Sequence, residues 1–96
     1  MCAALIGGMT RLKREYIEAA RGMGVRLKFF DGNERSISAR VGGADAMILF
    51  TNKLSHVARA EALRAAKAQN IPVTMVHSCG VSTLRETLDG LGRQGR

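Results

Sequence analysis

Ala44–Thr51 reads ADAMILFT, and its core, Met47-Ile48-Leu49-Phe50, is an unbroken apolar run without alternation. A strand that shows water on one face alternates polar with apolar; one covered on both faces does not. The run therefore predicts a strand buried on both sides, which is the position a parallel sheet provides. Cys2-Ala3-Ala4-Leu5-Ile6, ending in Gly7-Gly8, has the same character and predicts a second such strand. Val25–Phe30, followed by the Asp31-Gly32-Asn33 turn, and Val73–Val76, opened by Pro72, supply two more.

Between these runs the period changes. Thr10 is placed to cap a helix whose apolar side is Leu12, Tyr16, Ala19, Ala20 and Met23, with Gly22 and Gly24 as stop signals. Glu34–Val41 predicts a short helix broken by Gly42-Gly43. Ser55 is placed to cap a long Ala-rich helix from His56 to about Gln69, closed by Asn70. Thr83 with Glu86 fits a capping box, ahead of Leu84, Leu88 and Leu91 on one face, and Gly92–Arg96 reads as a frayed end. Alternating strands and helices with right-handed crossovers predict an α/β fold: a parallel four-stranded sheet in the order 2-1-3-4, helices on both faces, one domain over residues 1–96.

In that topology ligands favour the carboxyl ends of the strands at the switch point between strands 1 and 3. Three loops converge there: Gly7–Thr10, Thr51–His56 and His77–Gly80. Most of the chemically unusual residues lie in them, which nominates Gly7, Gly8, Met9, Thr51, Asn52, Ser55, His56, His77 and Cys79 as a site. His56 stands at a helix start, where positive charge is disfavoured, and an iron or zinc ligand must be a neutral imidazole. His77 follows the neighbouring strand. Cys79 precedes the last helix, where a thiolate is favoured, so it is expected to be the reactive thiol, with Cys2 buried in a strand. His56, His77 and Cys79 are three candidate metal ligands, one short of a closed zinc site. The turns at Gly7-Gly8 and Gly80, with Arg11 or Arg85, offer an anion or a propionate main-chain N–H groups. The G-x-G-x-x-G dinucleotide fingerprint is absent, and neither paired carboxylates nor a Ser-His-Asp set is evident.

MCAALIGG, DAMILFTNKLSH and NIPVTMVHSCGVSTLRETL together span nearly the whole chain, and in them the sequence resembles a bacterial family of small uncharacterised proteins, DUF2325. The resemblance implies a Rossmann-like or flavodoxin-like fold and, through an association of such proteins with haem, a haem-binding role. Members often carry Asp after the Met of the first loop; here Thr10 stands in that place. The expected function is a small cofactor-binding module holding haem through His56, suited to gas binding or redox sensing. The alternatives are a metal-ion site, a nucleotide- or phosphate-responsive module, or a nucleic-acid binder.

Composition sets the outer bounds. The 96 residues carry 15 Lys and Arg against 8 Asp and Glu, a formal charge of +7. That excess allows a nucleic-acid partner. The basic residues are nevertheless scattered, and the four aromatics are not interleaved with them in sequence. No apolar run approaches the roughly 20 residues of a membrane-spanning helix, and Met1–Gly8 lacks a basic flank, so a cytoplasmic location without membrane association is expected. Two cysteines make no disulfide framework. Small size and an outer strand at the sheet edge suggest a homodimer.

Overall fold

The computed structural model describes residues 1–31 and 37–94. In chain order the elements are β1 (Cys2–Gly8), a 3-10 turn (Thr10–Leu12), α1 (Lys13–Gly22), β2 (Arg26–Asp31), α2 (Ile37–Arg40), β3 (Ala46–Phe50), a second 3-10 turn (Thr51–Lys53), α3 (His56–Ala68), β4 (Val73–Val76) and α4 (Val81–Gln94). The four strands form one parallel sheet in the order β2-β1-β3-β4. This is the α/β fold with strand order 2-1-3-4 that the sequence predicts.

The two non-alternating runs take the two central places, as double-sided burial requires. All five residues of β3 are buried, and so are Ala3–Gly8 of β1. Alternate residues feed opposite layers. Ala4, Ile6, Met47 and Leu49 join Ile37 of α2 and Ala58, Ala62, Ala65 and Ala66 of α3. Leu5, Ile48 and Phe50 join Tyr16 and Ala20 of α1 with Leu84 and Leu88 of α4. Each large side chain buried this way contributes about 1.5–3 kcal/mol. The buried face of α3 is all alanine, so nothing bulky holds that helix off the sheet.

Helix ends follow local rules. Behind α1, Gly24 adopts φ +76°, the Val25 amide donates to the Ala20 carbonyl and the Gly24 amide to that of Arg21. Behind α3, Asn70 at φ 56° plays the same part, with Ile71 donating to Ala66 and Asn70 to Lys67. Both are Schellman closures followed by a buried apolar residue.

Three local expectations are corrected. Thr10 opens a 3-10 turn and makes no side-chain cap; α1 begins at Lys13. Thr83 is not a cap, because α4 starts two residues earlier, at Val81; the Thr83 hydroxyl instead donates to Ser78 Oγ (3.0 Å). The last helix does not fray at Gly92 but runs to Gln94. Of the predicted Glu34–Val41 helix, α2 forms over Ile37–Arg40, and Glu34–Ser36 lie outside the described residues.

Candidate functional site

The three loops do converge at the carboxyl edge, but their own groups fill the space between them. Gly7 has φ +93°, and the β1–β2 register passes over it, Ile6 facing Phe30 and Gly8 facing Asp31. A Cβ at Gly7 would collide with the Phe50 carbonyl oxygen. A Cβ at Gly8 would lie 2.7 Å from Phe29 Cε1 and 2.9 Å from Tyr16 Cε2. These glycines are explained by the close approach of β1's end to β3 and α1. The space an anion would need beside their Cα atoms is occupied by protein.

Tyr16 joins the first loop to the last. Its ring is fully buried, stacked on Phe29 and edge-on to Phe50, each with centroids 5.9 Å apart. Its hydroxyl donates to the Cys79 carbonyl (2.5 Å) and accepts from the Met9 amide (3.2 Å). A buried tyrosine needs such partners. Burial pushes its ionisation above the ordinary 10.0, against the opposing pull of the Met9 amide bond; the nearby Cys79 raises it further and Arg11 lowers it. The chain has one tyrosine, on the apolar face of its first helix. That was the available signal that its hydroxyl would have to find polar partners in the core.

The remaining nominated residues divide into buried and exposed sets. Ser55 caps α3, accepting from the Ala58 amide (3.1 Å), as expected. Thr51 and Asn52 lie in the 3-10 turn, Thr51 half-buried and Asn52 exposed. His56, His77 and Arg85 are exposed, and Met9 is half-buried. Cys79 departs from the expectation of an accessible thiol. It is only 7% exposed, packs with Tyr16, Phe50 and Leu84, and aims Sγ at the Gly7 carbonyl (3.9 Å). Cys2, expected to be buried, is half-exposed at the start of β1. The reason is position within an element: the first residue of a strand lies outside the layers that cover its middle. Native protein treated with a thiol reagent should therefore be modified at Cys2 well before Cys79, read by mass spectrometry of the labelled peptides; faster modification of Cys79 would show that the last loop opens.

The family model described as an uncharacterized protein conserved in bacteria (DUF2325) matches residues 2–91. The chain belongs to this family. No curated protein and no solved structure matches the chain significantly. In this DUF2325 protein no group of three or more His, Cys, Asp or Glu is arranged to hold a metal ion among the described residues. The grouping of His56, His77 and Cys79 as joint ligands is thus not formed: Cys79 turns into the core, while both histidines face out. No helix is long and apolar enough to cross a membrane among the described residues.

What the edge leaves open is two histidines, each close in sequence to an exposed apolar side chain. Val57 is 59% exposed and Met75 49% exposed, two of the four large hydrophobic residues left open among the described residues. Val57 follows His56 in the first turn of α3, and Met75 lies two residues before His77. Arg59 Nη2 reaches Met75 Sδ at 3.8 Å, which sets the Arg59 side of α3 against β4; at 3.6 residues per turn Val57 lies on the other side of the helix. Arg59 did not figure among the nominated residues; one Arg in a basic helix gives no sign of which neighbour it will meet.

Proposed function

We infer that this protein is a small haem-binding module, with the cofactor lying on the surface formed by the start of α3 and the end of β4 and ligated through His56. The observation that carries the reading is that Arg59 of α3 meets the exposed Met75 of β4, with exposed His56 opening that helix and exposed His77 following that strand. A histidine-ligated haem is served by that combination: an apolar surface for the macrocycle, a nitrogen ligand beside it and a cation for the propionates. Met75 supplies the first, His56 the second and Arg59 the third, since a guanidinium pairs well with a carboxylate. His77 is the alternative or second nitrogen. When bound, the iron would supply ligand binding or electron transfer, and the residues around it determine which.

The surface is one-sided, so a second copy of the chain would cover the other face of the macrocycle, and a homodimer forms part of the reading. Titration of haemin into the protein should produce a Soret band and a shift to dimer on size exclusion. His56→Ala should reduce affinity at least about tenfold, as loss of an axial ligand would, and by more than His77→Ala does. Equal spectra and affinities in wild type and the His56 variant would remove His56 from the site, and absence of a Soret band in the wild type would end the haem reading altogether.

A further inference from the structure

The opposite margin of the sheet has a different character. β2 is an outer strand, paired only with β1 among the described residues. The Arg26 amide donates to the Met1 carbonyl. In a parallel ladder both main-chain groups of a residue point the same way and alternate along the strand. The groups of Arg26 and Lys28 therefore face β1, and those of Leu27 and Phe29 face the open side.

Two depressions, of about 510 and 400 Å³, run along this margin and share Ile17 of α1 and Leu27 of β2. Their combined lining includes Lys13, Arg21, Arg26, Lys28 and Arg40 and, among the described residues, contains no acid. The two acids of α1, Glu15 and Glu18, are not part of it. The cations lie on both faces of the strand, Lys13 and Arg21 on the α1 side, Lys28 and Arg40 toward α2. Several are held in place: Lys28 Nζ donates to the Gly42 carbonyl (2.6 Å), Lys13 Nζ sits 5.8 Å from the Phe29 ring centroid, and the Arg40 guanidinium 4.8 Å from that of Phe30. The aromatics here are covered by cations and do not offer open faces for base stacking.

We propose that the free margin of β2 is a docking site for an acidic, extended peptide segment of a partner protein, which adds to the sheet as a fifth strand beside β2. Main-chain bonding to Leu27 and Phe29 supplies the affinity common to strand addition, and the cations on both faces select acidic side chains. A second copy of this chain does not fit this margin: its β2 presents the same cations, and a two-fold pairing centred on Leu27 sets Arg26 opposite Lys28 of the copy. A nucleic acid matches the charge but has no use for the alternating main-chain donors and acceptors. This inference stands independently of the haem reading, which concerns the other end of the strand order.

An end-capped fluorescent peptide alternating Glu and Val tests it. Binding should be saturable, weakened by salt, and weakened about tenfold in the Arg21→Glu/Arg26→Glu double variant, whose side chains are exposed and leave the fold intact. Hydrogen exchange should slow at the Leu27 and Phe29 amides when peptide is added and stay unchanged at Arg26 and Lys28. Three results would overturn the proposal: equal binding of a peptide N-methylated at alternate residues, which keeps the charge and loses the main-chain bonds; no added protection at Leu27 and Phe29; or tighter binding of oligothymidylate in competition with the peptide.

Discussion

Gly7→Ala is expected to destabilise the protein by about 3–5 kcal/mol, a large part of the roughly 5–14 kcal/mol available to a domain of this length. Two effects add. At φ +93° an alanine is strained, costing about 1–3 kcal/mol. Its Cβ would also collide with the Phe50 carbonyl oxygen and lie 3.4 Å from Leu54 Cδ1. The first neighbour is backbone of the central strand β3 and cannot swing aside, so β1 and β3 must separate at their carboxyl ends; overpacking of this kind costs about 1–3 kcal/mol. Gly24→Ala provides the control. It shares the positive φ, +76°, but beyond its chain neighbours no heavy atom lies within 4 Å of the place its Cβ would take, so only the strain remains, about 1 kcal/mol. Urea unfolding with similar slopes for all three proteins measures both losses. Equal midpoints for the two variants would show that the approach of Gly7 to Phe50 is not tight in solution.

Tyr16 carries the second large effect. Tyr16→Ala removes a fully buried ring that touches Phe29 and Phe50, an expected loss of about 3–5 kcal/mol. Tyr16→Phe keeps the ring and removes only the hydroxyl, leaving the Met9 amide and the Cys79 carbonyl without that partner, about 1–3 kcal/mol. The same hydroxyl gives a pH dependence. Its folded-state ionisation lies above the unfolded value of 10.0, chiefly through burial. The native state therefore holds the phenolic proton more tightly. The resulting stabilisation is fully present below pH 10 and is lost as pH rises through the folded value. Urea midpoints from pH 8 to 11 should fall more steeply above pH 10 in the wild type than in Tyr16→Phe. Parallel curves would mean that the phenol does not titrate with unfolding. Because the hydroxyl ties the first loop to the last, the Phe variant should also speed labelling of Cys79.

The apolar runs at Cys2–Ile6 and Met47–Phe50 determine the fold on their own: side chains with no polar alternation can only be buried on both faces, and short strands separated by helical periods admit few sheets besides this one. The cap at Ser55 and the closures at Gly24 and Asn70 are equally local, since each depends on a few consecutive residues. Three features were decided only by the tertiary structure. Whether Cys79 faced solvent or core depended on α4 starting at Val81 and on a tyrosine 63 residues away taking its carbonyl. Whether Gly7-Gly8 formed an open cradle or a tight contact depended on how near Phe50 and Tyr16 lay. The basic residues, scattered in sequence, gather along β2 because α1 and α2 flank that strand and bring Lys13, Arg21 and Arg40 to it. Local pattern reports which face of an element is apolar; which distant group meets that face is fixed only when the layers close.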